Sequence, residues 1–262
     1  MVCNICSSTV TTLGSATIIQ KYHIKYFRCD HCGFIQTEKP YWLSEAYTET
    51  IARSDIGLIG RNIRLSNISA VIISSFFNRK ARFLDYGGGN GMFVRLMRDK
   101  SFNFFWQDLY SENQFARGFE KEEKGGYGLV TAFEVLEHIE DPIIEIERML
   151  SYSDNILFST MLIPANHPLP QEWWYYALDS GQHISLYSMQ SLKEIAYKFN
   201  LDLYTNGKSL HLLTKKKLPG MLFYLLSIGQ LAGIFWLFFS IGKISLLESD
   251  YHNLTGKTLM PK

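Results

Sequence analysis

With 262 residues, 47% of them hydrophobic and 15% aromatic, the chain can bury one sizeable core and carry a small accessory unit, which excludes a disordered or fibrous protein. A formal net charge of +1 offers no broad positive field to a polyanion, so nucleic acid is not an expected partner without a local basic patch. The opening MVCNICSSTV holds neither the basic region nor the apolar run of an export signal, and a cytoplasmic, reducing setting is expected.

In that setting four cysteines point to a metal rather than to disulfides. Cys3-x-x-Cys6 and Cys29-x-x-Cys32 stand 22 residues apart, and Gly33 follows the second pair. This is zinc-ribbon spacing: each C-x-x-C turn delivers two thiolates to one tetrahedral ion, and the glycine gives the knuckle its backbone freedom. Four sulfur ligands leave no open position, so the zinc is expected to be structural and to fold residues 1–40, a segment too small to hold a core alone.

Residues 41–80 carry apolar positions at helical intervals on either side of a break at DIGLIG, which predicts two connecting helices. Arg61 and Asn62 fall at the break, either as solvated turn residues or as substrate contacts.

From residue 81 a short apolar strand runs into Asp85-x-Gly87-x-Gly89-x-Gly91 and then into a helical pattern. Glycines let the backbone approach a ligand closely, and the helix that follows offers free N–H groups to an anionic group. A dinucleotide fingerprint needs its third glycine or alanine three residues past the second, where Met92 stands, so a nicotinamide cofactor is disfavoured. The stretch DYGGGNG resembles the first motif of class I S-adenosylmethionine-dependent methyltransferases. That resemblance implies a loop cradling the methionine part of the cofactor, with Asp85 near its amino group and Gly87, Gly89 and Gly91 in the loop. FNFFWQDLY then reads as a second strand ending at Asp108, placed for the ribose hydroxyls.

Only 20 residues separate Asp108 from Leu129, so the third strand of the expected sheet is predicted to be degenerate. GLVTAFEVLEHIEDP resembles the fourth-strand motif of a methyltransferase branch that includes the ubiquinone-biosynthesis O-methyltransferases, matching at Glu134, Val135, Glu137, His138 and Pro142 and departing at Gly128. Some relatives, including small-RNA 2′-O-methyltransferases, hold a magnesium-type ion with the two glutamates and the histidine. The resemblance extends that option to Glu134, Glu137 and His138, with His183 as a further ligand. The i, i+3, i+4 spacing puts the three on one face of a helical turn, where the acids also complement the macrodipole. Shaping of the cofactor pocket by Glu134 and general-base work by His138 stand as the other roles.

NILFSTML is a predicted fifth strand, MQSLKEIAYKFN a helix, and LDLYTNG with SLHLLTKK a closing antiparallel pair. Between them, Trp173, Trp174, Tyr175 and Tyr176 are read either as a stacking wall for an acceptor or as core, and His183 as a base for an acceptor hydroxyl. GQHISLYSMQSL resembles the same stretch of the methyltransferase branch. Residues 218–242 are uncharged after Lys215, Lys216 and Lys217 and reach the length of a membrane span. Pro219, Gly220 and SIGQLAG divide them into two shorter helices suited to packing on the domain, a second chain or a membrane interface.

The expected protein is α/β: a Rossmann-like, seven-stranded methyltransferase sheet over 81–214, with a zinc ribbon before it, the helical connector, and a hydrophobic helical extension at 215–262. The resemblance implies S-adenosylmethionine as methyl donor, and the acceptor is expected to be a small molecule or saccharide hydroxyl, as in surface-glycan synthesis. The alternatives are an RNA base methyltransferase with a zinc module, which the near-neutral charge disfavours, and a non-catalytic cofactor-binding scaffold. His138, His183 and Glu137 are the candidate catalytic residues, and self-association of the chain stays open.

Overall fold

The computed structural model describes residues 1–47, 56–122 and 126–259. The chain divides into two compact units: Met1–Ser54 with Ala132–Ser151 and Ile156–Lys217, and Asp55–Thr131 with Tyr152–Asn155 and Leu218–Lys262.

In the first unit, β1 (Val10–Ile18) and β2 (Tyr22–Cys29) form an antiparallel pair in which Ala16 partners Ile24 and Ile18 partners Tyr22. Alternation buries Ala16 and Ile18 on one strand and Ile24 and Tyr26 on the other, as a half-covered sheet requires. β3 (Ile35–Thr37) follows the cysteine knuckles and pairs with β2. The ribbon does not stop there. Ile35 also pairs with Leu186 of β8 (Ser185–Leu186), giving a sheet in the order β1-β2-β3-β8. Trp42, beside the short helix α1 (Leu43–Ala46), donates its indole N–H to the Gly181 carbonyl at 2.8 Å, so residues far apart in sequence share one core with the ribbon.

The same unit contains α4 (Pro142–Leu150), capped by the Asp141 carboxylate with proline at its first position, and β7 (Asn155–Ser159), all but its first residue. It continues with α5 (Met189–Lys198), started by a Ser188/Ser191 capping box. β9 (Asp202–Thr205) and β10 (Leu210–Thr214) are the expected antiparallel pair, with Leu212 opposite Tyr204.

In the second unit, β4 (Arg82–Tyr86) lies parallel between β5 (Asn103–Gln107) and β6 (Leu129–Phe133). All three read as apolar runs because both faces of such strands are covered. α3 (Met92–Asp99) follows β4 after the glycine loop. Six strands are hydrogen-bonded in the order β5-β4-β6-β7-β10-β9, and the boundary between the units falls inside β6, after Thr131.

The expected seventh strand is reduced to one parallel bridge among the described residues: Trp106 pairs with Glu120, its N–H donating to the Phe119 carbonyl and its carbonyl accepting from Lys121 N–H, both at 2.7 Å. The physical reason is chain length, since each parallel crossover takes roughly 10 to 12 residues. Of the two predicted connector helices, the first falls partly on residues 48–55, outside the described residues, and the second is present. α2 (Leu58–Phe76) starts at DIGLIG and runs for 19 residues, so Arg61 and Asn62 sit in its first turns instead of a loop, and Asn62 donates to the Leu58 carbonyl.

The extension forms α6 (Gly220–Leu226) and α7 (Gly229–Phe239), bent by 92° at the break, both packed on α2. Among the described residues no single helix is long and apolar enough to cross a membrane. SLLESDYHNL folds as α8 (Leu247–Thr255), mostly exposed, with Asp250 as its one buried residue. Its buried Asp250 takes two bonds from the Arg98 guanidinium, at 2.5 and 2.8 Å, and one from Arg95 at 2.9 Å.

Candidate functional site

The residues singled out from the sequence fall into three groups, one within the second unit and two within the first. In the second unit the chain passes Asp85, leaves β4 after Tyr86 and turns through Gly87, Gly89 and Gly91, whose φ angles of 68°, 52° and 86° lie in the left-handed region. Gly91 caps α3, and a Cβ there would stand 2.5 Å from Asn113 Oδ1 and 3.1 Å from the Ala116 backbone nitrogen. At Gly89 the situation is opposite. Apart from its chain neighbours, no atom lies within 4 Å of where a Cβ would be, so this backbone borders open space. Gly88, a spacer in the motif, turns out to be a tight position too: its Cβ would meet the Trp106 ring at 2.7 Å and Asp85 Oδ2 at 2.9 Å.

Two carboxylates flank the loop. Asp85 is buried, with the Thr131 hydroxyl donating to Oδ1 at 2.7 Å. Burial pushes its carboxyl up to about 7, the Asp108 charge acting in the same sense and the Thr131 bond against it. Asp108, directly after β5, accepts from Gly89 N–H at 2.9 Å through Oδ2 and from Tyr110 and Ser111 N–H through Oδ1. Three of its roughly four acceptor positions are thus taken, one in fastening the loop and two in closing the turn after β5. Trp106 completes the clamp, its indole N–H donating to the Gly89 carbonyl at 2.8 Å. Trp106, Asn113 and Thr131 are the supporting residues that sequence motifs miss, because each works through contact with a glycine or with Asp85.

In the first unit, the EVLEH stretch does not form the single helical face expected from its spacing. Glu134 takes a φ of 55° at the end of β6, and only Leu136–His138 make a 3-10 turn. Ser159 pins Glu134 from both ends: its Oγ accepts from Glu134 N–H at 2.9 Å and donates to Oε1 at 2.6 Å. Glu137 is wholly buried and accepts from the Tyr175 hydroxyl at 2.6 Å. Burial, then the Glu137 charge, hold the Tyr175 hydroxyl well above its usual value, so it stays a proton donor in this bond.

His138 and His183 meet edge to face, 4.9 Å between ring centres. His138 Nδ1 lies 3.2 Å from the Gln182 carbonyl and His183 Nδ1 2.6 Å from the Tyr175 carbonyl. A carbonyl only accepts, so Nδ1 carries the hydrogen in both rings and Nε2 is left as the acceptor. Burial and the neighbouring imidazole lower His138 to about 3, and burial lowers His183 to about 4. Both are therefore neutral near pH 7. Glu137, His138 and His183 offer ligand atoms within 4.8 Å of one another, so an oxygen and two neutral nitrogens of the kind a divalent ion accepts are gathered here, without Glu134.

Of the aromatic run, Trp173, Tyr175 and Tyr176 belong to the core against β1, β2 and β3, and only Trp174, 73% exposed, faces solvent. A four-residue stacking wall is therefore not what these residues build.

The four cysteines converge as their spacing predicts. Their sulfurs lie within 4.8 Å of one another, with Cys3 Sγ and Cys32 Sγ 3.6 Å apart and Cys6 Sγ and Cys29 Sγ 3.4 Å. These separations are far beyond a disulfide, at about 2.05 Å, and near the roughly 3.8 Å edge of a tetrahedron with about 2.3 Å metal–sulfur bonds. Ile5 N–H points to Cys3 Sγ and Cys32 N–H to Cys29 Sγ, the knuckle bonds that favour thiolate, and Gly33 takes a φ of 70°. The donor set fits a thiophilic tetrahedral ion. A cavity of about 510 Å³ beside this knuckle is lined by Arg28, His31 and His167 and includes neither His138 nor His183.

Residues 64–206 match the family model of a methyltransferase domain. No curated protein matches the sequence. Among solved structures, an O-methyltransferase family protein from Burkholderia thailandensis aligns with a TM-score of 0.48 and 16% identity, over 67% of this chain and 63% of that one. The chain thus spans less than two thirds of that protein's length. Magnesium protoporphyrin IX methyltransferase from Synechocystis PCC 6803, with bound SAH, aligns at 0.42 and 11% identity, over 67% of this chain and 96% of that one. Human N-acetylserotonin methyltransferase, in complex with SAM, aligns at 0.43 and 14% identity, over 67% and 66% respectively.

Proposed function

Since this chain belongs to the methyltransferase-domain family, we propose that it transfers a methyl group from S-adenosylmethionine to a hydroxyl of a small-molecule or saccharide acceptor. The observation that carries the donor assignment is the glycine loop, open at Gly89 and flanked by Asp85 and Asp108. Bound there, S-adenosylmethionine supplies an electrophilic methyl on a sulfonium.

The chain's own residues do the rest by holding and orienting. Asp85 presents a carboxylate to the donor's ammonium group, which favours its ionised form. Gly87, Gly89 and Gly91 let the backbone lie against the methionine part, and the remaining acceptor capacity of Asp108 serves the ribose. On the acceptor side, Nε2 of His183 or His138 takes the hydroxyl proton, each ring steered by its Nδ1 bond to a carbonyl. Glu137, fixed by Tyr175, is a positioning residue. The E-V-x-E-H stretch and the two neutral imidazoles favour the O-methylating branch, and the exposed Trp174, on the segment whose Tyr175 carbonyl holds His183, offers an apolar face to a sugar. Magnesium at Glu137, His138 and His183 is a lesser role, because Glu134, the second carboxylate such a hard ion would take, is not gathered with them. The four cysteines hold structural zinc.

Calorimetry with S-adenosylmethionine and its demethylated product tests the reading. Micromolar binding of both is expected, followed by methylation of a hydroxylated acceptor in a panel of saccharides and lipid-linked saccharides. No binding at millimolar donor would overturn it.

A further inference from the structure

The extension places its apolar residues on the wrong side for a soluble core. α6 turns Phe223 and Leu226 inward and leaves Met221, Leu222, Tyr224 and Leu225 exposed. In α7 only Ala232 is buried, while Ile234, Phe235, Leu237 and Phe238 are exposed, followed by Ile241 and Ile244. Small residues explain this arrangement: Gly229 admits the Arg64 stem, and Gly229 with Ala232 lets α7 lie closely on α2. Most of the larger side chains are then left pointing away, while Trp236 turns back onto Phe102. Apolar surface this concentrated is rare on a protein that meets only water.

Charge identifies what covers it. From Leu218 to Leu247 the chain carries no aspartate or glutamate and one charged residue, the exposed Lys243; Lys215 and Lys216, also exposed, stand just before this stretch in the sequence, and Lys217 pairs with Asp202. Lysine without acidic neighbours in this stretch, with Tyr224 among the exposed apolar side chains, complements an anionic lipid interface. A second copy of the chain would bring like charges together across a two-fold axis. Length decides the mode. At about 1.5 Å per residue α7 reaches about 16 Å and α6 about 10 Å, against a hydrocarbon core of about 30 Å, and the pair is bent by 92°.

We propose that α6 and α7 form a docking surface for an anionic bilayer, lying within its interface and leaving the chain on one side. This inference is independent of the methyl-transfer reading.

The test is flotation of the full chain with vesicles of phosphatidylcholine alone and of phosphatidylcholine with about one third phosphatidylglycerol. The chain should float with the anionic vesicles, weakly with the neutral ones, and less at high salt. The double substitution Leu237→Asp, Phe238→Asp should lower the bound fraction at least about tenfold, and Lys243→Glu several-fold. Both positions are exposed, so circular dichroism and bound zinc should be unchanged. The proposal fails if the chain ignores anionic vesicles, if the substitutions have no effect, or if the bound chain resists alkaline carbonate like a spanning protein. It also fails if sedimentation reveals a dimer that the double substitution dissociates without any vesicle binding.

Discussion

Thr131 donates its hydroxyl to Asp85 Oδ1 at 2.7 Å, setting a side chain of one parallel strand against the carboxyl opposite it on the neighbouring strand. The bond opposes a stronger effect, burial, which lifts Asp85 to about 7. Between the unfolded value, near 3.8, and 7 the folded chain holds a proton that the unfolded chain has released. This group's contribution to stability is thus fully present below about pH 3.8 and is lost as pH rises through 7. A bound ammonium group favours the ionised form, so donor affinity should rise between pH 6 and 7.5 by roughly fivefold to tenfold. Calorimetry at the two pH values measures this, and Asp85→Asn should bind weakly with little dependence. A flat profile in the unmodified protein would remove Asp85 from the ammonium.

Two glycines of the same loop should respond differently to alanine. At Gly89 the methyl group enters open space, so Gly89→Ala should cost only the left-handed strain, about 1 to 2 kcal/mol, while weakening the donor tenfold or more by occupying its place. At Gly91 the methyl collides with Asn113 Oδ1, which is itself held by Ala116 N–H at 2.9 Å. Gly91→Ala should therefore destabilise the unit by more than about 2 kcal/mol, seen as a lower melting temperature even without donor. Equal melting temperatures for the two variants would contradict this account.

The contrast shows what the sequence makes legible. DYGGGNG and the paired C-x-x-C turns are local devices, each built from residues a few positions apart, and both fold as their spacing predicts. Asp108 was placed by its distance from the loop, yet its carboxylate proves to be engaged by three backbone N–H groups. Non-local choices were hidden. β8 is two residues long and joins the ribbon through Ile35 and Leu186, too short to leave a periodic signal. Tyr175 and Tyr176 read equally well as surface or core, and packing against β1 and β2 decided it. Asp250 looks like solvated polar chain until Arg98, some 150 positions earlier, buries it. Glu134 misled by spacing, since one residue of left-handed backbone moves it off the turn that carries Glu137 and His138.

Because β3 pairs with both β2 and β8, an ion held by the four cysteines should stabilise more than the ribbon. One zinc per chain is expected by elemental analysis. Cys32→Ser, or removal of the metal by a chelator under reducing conditions, should lower the melting temperature and speed proteolysis around Trp42 and Gly181 as well as within residues 1–40. Chelation that leaves stability and thiol reactivity unchanged would argue against a resident ion.

The arc of Tyr175, Glu137 and His183 separates positioning from proton transfer. Tyr175→Phe removes the hydroxyl that serves Glu137 and Met161 N–H but keeps the backbone carbonyl that orients His183. It should cost about 1 to 3 kcal/mol of stability, with a modest effect on turnover. His183→Asn should leave donor affinity unchanged and lower kcat by about a hundredfold if this ring takes the acceptor proton. The pH profile gives a second readout. With His138 at about 3 and His183 at about 4, both rings stay neutral above pH 5, so neither should produce an acid limb near pH 6.5 in kcat. The limb belonging to these histidines should appear only as pH falls through about 4, where stability also declines because the unfolded chain takes up their protons from about pH 6.5 downward. A kcat limb near 6.5 that disappears in His183→Asn would show that the working histidine is far more exposed to water than the ring held by Tyr175.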